Sequence, residues 1–367
     1  MTEILLENVS KYIKGKTVLN NINLRVQSAD VAVLLGPAGA GKTTLLRIIA
    51  GTEKPDKGRI YFDGKDVTDL PPQKRDVGMV FQTFALYPNM TVYENIASPL
   101  RIRKLPEAEI NKKVKEVAEL LNITHILSKK PHECSGGEAQ RTVIARAIVK
   151  RPKIYLFDEP LTNLDYKVRE VLRLELKKIF NEVRSTVLYS TSNPEEAAAL
   201  GKTLIHIREG RIIQTGPIKD CFRKPADINA ALYYSPVGVN IFNSKCLRVD
   251  SRKYLHVNSV LKFDVTDVEQ VQEGKEYMIG IYPHSIKLFK LASENKLITI
   301  PIDVDFVENM GSELVVVTKC GEHIMTILSS EVERLHEIKD LKYAYVPPNE
   351  IMIFSKDGGE YLQTLER

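Results

Sequence analysis

Residues Gly36-Pro37-Ala38-Gly39-Ala40-Gly41-Lys42-Thr43 have the spacing G-x-x-x-x-G-K-[ST], and Thr44 continues the run. In this pattern glycines let backbone N–H groups wrap phosphate oxygens, the lysine reaches the β and γ oxygens, and the hydroxyl can hold Mg²⁺. A second group is the acid pair Asp158-Glu159, directly after the apolar run Ile154-Tyr155-Leu156-Phe157. Open parallel sheets collect ligands at the carboxyl ends of their strands. Asp158 is therefore suited to orient Mg²⁺ through water, and Glu159 to polarise an attacking water. A third group, Ser135-Gly136-Gly137, can open a helix whose N–H groups face an anion. In isolation the acid pair also fits an exposed helix start, and Ser-Gly-Gly an ordinary cap. Their order along the chain, phosphate loop then cap then acidic strand, is what joins them.

The elements around these groups follow from hydrophobic periodicity. Val31 to Leu35 is continuously apolar, as a strand covered on both faces requires, and it runs through the phosphate loop into an apolar helix at Thr44 to Ala50. Before it, apolar and polar residues alternate at Glu3 to Val9 and Val18 to Leu24, which predicts an antiparallel sheet. From about 87 to 151 the pattern is helical, with Ile110, Val114, Val117, Ala118 and Leu121 on one face. Strand patterns return at 153–157 and 185–189 around an amphipathic stretch at 167–184, so the core is α/β and parallel. After Tyr233-Tyr234-Ser235-Pro236-Val237-Gly238 short β-type runs broken by turn residues predict a small barrel. The expected division is thus 1–234 and 235–367, with a helical subdomain at about 87–151. Met278 and Phe306 are expected in the core of the second part.

With 367 residues and roughly 150 per domain, two to three units are expected. Apolar residues are 43% and charged residues 27%, which excludes general disorder and a fibre. The longest apolar runs fall far short of the ~20 residues of a spanning helix, and the N-terminus lacks an export-signal pattern, so a cytoplasmic location is expected. Fifty-two Lys+Arg against 47 Asp+Glu are spread along the chain rather than gathered in a basic block, so nucleic acid is not an expected partner. Cys134, Cys221, Cys246 and Cys320 have no paired metal spacing and read as free thiols.

With these motifs in order, the chain resembles the ATP-binding subunits of ABC transporters, specifically the sugar and polyol importer group with a C-terminal regulatory domain. The resemblance implies a P-loop ATPase core with an antiparallel β subdomain and a helical subdomain, followed by a β-rich, oligonucleotide-binding-like regulatory domain. It makes Gly36 to Thr43 the Walker A loop, Gln82 the Q-loop glutamine that joins Thr43 and Asp158 at Mg²⁺, and Ser135-Gly136-Gly137 the signature. Asp158 and Glu159 become the Walker B pair, Asp165 the D-loop acid, and Tyr12 the aromatic that stacks on adenine. ATP and Mg²⁺ are implied as cofactors. The implied partners are a second ATP-binding subunit, two transmembrane permease subunits and a solute-binding protein, at the cytoplasmic face of the cell membrane.

The sequence departs from that family at two places. Leu188-Tyr189-Ser190-Thr191-Ser192-Asn193 puts Ser192 where the family has its switch histidine, and Cys134-Ser135-Gly136-Gly137-Glu138 replaces the usual Leu-Ser-Gly-Gly-Gln. A hydroxyl lacks the reach and charge of imidazole, so turnover at this chain's own Walker site is expected to be weakened. A non-identical ATPase partner follows from that expectation. Asn95 to Leu100, Leu164 to Lys167 and the histidine-free run at 189–197 are similar to one of the two unlike ATPase subunits of bacterial glycerol importers. Open alternatives are a homodimeric sugar-importer ATPase and an ATP-dependent regulatory or assembly subunit with little hydrolysis. An ATPase acting on nucleic acid or translation usually carries two cassettes, against one here. The C-terminal resemblance is carried by Gly280 to His284 and Val307 to Ser312, with Tyr282-Pro283-His284 in place of an Arg-Pro-Glu run.

Overall fold

Val31–Leu35 forms a strand in which all five residues are buried, the requirement that its unbroken apolar run implies. It is the third strand of the chain. β1 (Ile4–Ile13), β2 (Lys16–Val26), β4 (Lys57–Phe62) and β5 (Lys65–Asp66) make a separate antiparallel sheet in the order β2-β1-β4-β5. β3 (Val31–Leu35), β6 (Val77–Val80), β7 (Ile154–Asp158), β8 (Thr186–Thr191) and β9 (Thr203–Arg208) run parallel, and β10 (Arg211–Pro217) closes the edge antiparallel, in the order β10-β9-β3-β8-β7-β6. Register levels the strand ends: Leu35 pairs with Thr191, Asp158 with Ser190, and Val80 with Phe157.

In this computed structural model, which describes residues 2–289 and 297–365, the chain divides into two units, Met1–Ile218 and Lys219–Arg367. Within the first, α1 (Lys42–Ala50) follows the phosphate loop and buries Leu45, Leu46, Ile48 and Ile49. Each such burial contributes about 1.5–3 kcal/mol over exposure. The helical stretch resolves into α2 (Val92–Ile102), α3 (Glu107–Leu120) and α4 (Gly136–Ile148), with Ile110, Val114, Val117 and Ala118 of α3 facing inward as their spacing predicts. α5 (Tyr166–Glu182) links β7 to β8, and α6 (Pro194–Leu200) links β8 to β9.

The helix α7 (Ile218–Arg223) starts at the division, and α8 (Ile228–Tyr234) follows within the second unit. It continues with β11 (Asn240–Val249), β12 (Arg252–His256), β13 (Lys262–Asp264), β14 (Glu276–Ile281), β15 (Ile298–Pro301), β16 (Asp303–Asn309), β17 (Leu314–Cys320), β18 (His323–Ser329), α9 (Leu335–Ile338), β19 (Tyr343–Val346), β20 (Ile351–Ser355) and β21 (Tyr361–Thr364). It is β-rich as expected, and among the described residues its strands pair as three sheets, β13-β12-β11-β14-β20-β21, β15-β19 and β16-β17-β18. The division falls at Ile218/Lys219 instead of near Ser235. The cause is hydrogen bonding: Ile228 N–H donates to Gly359 O at 2.8 Å and Tyr361 N–H to Ala226 O at 3.1 Å, so α8 belongs to the second unit. Phe306 also departs from expectation. It lies on β16, an edge strand of its sheet, and is 56% exposed, while Met278 is half-buried.

Candidate functional site

Glycine geometry shapes the phosphate loop. Gly41 has φ +104°, a region L side chains rarely adopt, and a Cβ there would lie 2.7 Å from Leu19 Cδ2 and 2.9 Å from Val18 O. The loop thus packs against β2 and presents Lys42 at the first turn of α1. Gly36, Ala40 and Lys42 are buried, Thr43 and Thr44 are half-buried, and Pro37, Ala38 and Gly39 form the exposed crest. The Lys42 ammonium has three protons. It donates to Gly36 O at 2.6 Å and Pro37 O at 2.9 Å, and it pairs with Glu159 Oε1 at 3.0 Å.

The acids stand opposite that loop. Thr43 Oγ1 and Ser190 Oγ each lie 3.0 Å from Asp158 Oδ1 and donate to it. Burial pushes the Asp158 carboxyl above its ordinary value, against the pull of these two hydroxyls. Glu159 Oε2 accepts from Thr162 Oγ1 at 3.2 Å. Lys42, Thr43, Asp158 and Glu159 are therefore one cluster, assembled from the ends of β3 and β7. Gln82 and Ser192 are exposed just beyond the level ends of β6 and β8, on the same edge of the sheet. Tyr12, 43% exposed, is on β1 beside the β2 segment that touches the loop, and its N–H donates to Asp56 Oδ2 at 2.6 Å.

The Ser-Gly-Gly group is built differently. Ser135 caps α4 with a reciprocal box: its Oγ accepts from Glu138 N–H at 3.3 Å, and its N–H donates to Glu138 Oε2 at 2.8 Å. The Ser135 N–H holds the Glu138 carboxyl below its ordinary range, and His125 Nε2 lies 3.3 Å from Oε1. A Cβ on Gly137 would lie 2.8 Å from Val168 Cγ1. Asp165 caps α5 by accepting from that same Val168 N–H at 3.1 Å. Gly137 thus packs closely on Val168, the residue whose N–H Asp165 caps. Among the described residues, Ser135, Gly136 and Gly137 bond to no residue of the phosphate loop.

Four further residues carry weight that sequence reasoning does not assign. Ser190 accepts the Glu159 N–H as well as touching Asp158. Glu196 is buried on α6, where it accepts from the Tyr189 hydroxyl and from Thr191 Oγ1, and burial raises its carboxyl pKa. Asn95, fully buried, accepts from Tyr87 N–H and donates to the carbonyls of Tyr87, Met90 and Thr91, which pins the loop after Gln82. Arg75 donates to Ile48 O and Ile49 O at the end of α1 and to Thr68 O and Leu70 O before β6. The Thr91–Glu94 capping box, which places Asn95 in the first turn of α2, is a local sequence signal beside one of them.

Comparison with known proteins agrees with this geometry. The ABC transporter family profile matches residues 19–162. The chain is 34% identical over 371 residues to the sn-glycerol-3-phosphate import ATP-binding protein UgpC of Psychromonas ingrahamii, covering 99% of this chain and 96% of that one. It is 38% identical over 335 residues to the trehalose/maltose import ATP-binding protein MalK of Thermococcus litoralis, covering 88% and 89%. A solved dimeric ATP-binding cassette in a post-hydrolysis state with ADP and Pi is 32% identical and covers 59% of this chain and 98% of its own, with a TM-score of 0.54. The chain belongs to the ATP-binding proteins of ABC transporters. It is an ATP hydrolase coupled to transport, using ATP and Mg²⁺.

The donor set fits that cofactor. Thr43 Oγ1 and Asp158 are hard oxygen donors already within one hydrogen bond of each other, and Mg²⁺ is commonly held by one or two carboxylates together with substrate phosphates. When bound, Mg²⁺ neutralises charge on the β and γ oxygens. Among the described residues no helix is long and apolar enough to cross a membrane.

Proposed function

We propose that this chain energises import of a carbohydrate or polyol, glycerol included, as one half of an unequal ATPase pair. The observation that carries the motor role is the Lys42–Glu159 ion pair between two loop carbonyls and Asp158. The Glu159 carboxylate marks an anion position at Lys42, where a γ-phosphate would compete with it. Binding would transfer Lys42 to phosphate oxygens and release Glu159 to polarise water. Thr43, Asp158 and Gln82 would hold Mg²⁺, Asp158 through water, and Gly36 to Thr44 the phosphates. Tyr12 would stack on adenine. Ser135, Gly136, Gly137 and Asp165 would complete the partner's site, since they are turned to their own helices and not to this chain's phosphate loop.

The unequal pairing rests on Ser192 in the switch position. The solute class draws support from relatives whose printed solutes, glycerol-3-phosphate and trehalose/maltose, are polyhydroxylated. Two permease subunits, a solute-binding protein and a second ATPase at the cytoplasmic membrane face complete the assembly, and we assign regulation or dimer contacts to the β-rich second unit. A homodimeric sugar importer is the competing reading, favoured by the intact Asp158–Glu159 pair. Native mass spectrometry of the transporter purified through this chain decides between them. One copy beside a second ATPase supports the unequal pair, and two copies remove it. In the mixed complex Ser192→His is expected to raise turnover at this site, and no rise with folding intact counts against a weakened site.

A further inference from the structure

Ser190 is a fully buried hydroxyl in β8, between Tyr189 and Thr191. Its one proton is given to Asp158 Oδ1 at 3.0 Å. Its oxygen accepts the Glu159 N–H at 3.1 Å, and its own carbonyl shares that N–H at 3.2 Å. Glu159 meanwhile has φ +43°, a sparsely populated conformation for a residue with a Cβ. Such a backbone persists only where its surroundings over-determine it, and the bonds to Ser190 are the contacts that hold this amide.

We propose that Ser190 is the positioning residue for both acids, and this rests on the reading of Asp158 and Glu159 given above. The hydrogen-bond path runs Glu159 N–H to Ser190 Oγ, then Ser190 O–H to Asp158 Oδ1, where Thr43 Oγ1 also donates. Two hydroxyls on one carboxylate oxygen fix the carboxylate plane and leave Oδ2 outside both bonds. Thr43 retains lone pairs for Mg²⁺. Ser190 spends one on Glu159, so it orients the acids without binding the metal. One side chain thereby sets the metal-side acid and the water-side acid in a common register, which neither α1 nor the 159–165 segment does alone.

The test uses the full-length chain and Ser190→Ala, with Mn²⁺ binding followed by electron paramagnetic resonance in the presence of a non-hydrolysable ATP analogue. Loss of a hydrogen bond to a charged group is expected to weaken Mn²⁺ binding about tenfold. Turnover of the assembled transporter should fall by a similar factor, while analogue binding in EDTA stays within about twofold and melting remains cooperative. Ser190→Thr, which keeps the hydroxyl, should recover most of the Mn²⁺ affinity. Mn²⁺ affinity and turnover unchanged in Ser190→Ala overturn the proposal, as does equal loss of metal-free nucleotide binding, which marks a purely structural role. A wild-type chain that binds no Mn²⁺ with the analogue overturns the reading of Asp158 itself, and with it this inference.

Discussion

The phosphate-loop end of the parallel sheet and the N-terminus of α4 both present donors to an anion, yet they satisfy themselves in opposite ways. At the first, bonds span the chain: Lys42 reaches Glu159, Thr43 reaches Asp158, and Ser190 reaches both acids from a third strand. At the second, Ser135 and Glu138 close a box within one helical turn, and Gly137 rests on Val168. The first site is made by the fold. The second is made by four consecutive residues and then carried as a unit. A long-range site must be rebuilt by every folding event but can hold buried charge, whereas a local cap stays near water and can be offered to another subunit.

Breaking the long-range site should have the largest effect. Glu159→Gln is expected to lower turnover about 10²–10⁴-fold, the usual range for a general base. ATP binding should persist, because the amide removes the carboxylate that competes at Lys42. Phosphate release and nucleotide binding measured on the same assembled complex separate the two. Lys42→Ala comes next: removing one preorganised donor costs about 10²–10³-fold in turnover, and here nucleotide affinity should fall as well. If either variant retains wild-type turnover, the catalytic half of the comparison is wrong.

Changes at α4 should be smaller and read mainly as stability. Gly137→Ala places a methyl against Val168, and overpacking of this kind costs about 1–3 kcal/mol; urea unfolding of the full chain measures it. Glu138→Gln sharpens the comparison further, with a loss of about 0.5 kcal/mol at neutral pH from the weakened charge at the helix start. The sign follows from the depressed folded pKa. Stabilisation by ionised Glu138 is complete above its ordinary value of 4.5 and is lost as pH falls through the lower folded value. Wild type and Glu138→Gln should therefore converge in stability in acid. A gap that widens on acidification would contradict the box.

On both sides of this comparison, what adjacent residues encode is legible in the sequence and what distant residues build is not. The loop motif, the Ser135 cap and the helix over 107–120 are patterns in adjacent residues, so spacing alone exposes them. Ser190 is hidden because one serine in a strand buried on both faces looks like a tolerated substitution, and its partner Asp158 lies 32 residues away. Arg75 and Glu196 are similar: each looks like an ordinary surface charge until the fold surrounds it. The Pro236–Gly238 turn has a linker's composition, yet the units divide at Ile218/Lys219, because the bonds that attach α8 to residues 359–361 are made with the far end of the chain. Phe306 is exposed against expectation because alternation along a strand does not say whether its sheet face is covered.

Arg75 gives α1 a mechanical role beyond seating Lys42. One end of that stiff rod begins at the phosphate loop, and the guanidinium clamps the carbonyls at its other end to the segment that starts β6, the strand that delivers Gln82. Close-packed interiors yield little under load. The phosphate loop and Gln82 are therefore joined, through helix, clamp and strand, by one continuous frame of hydrogen bonds.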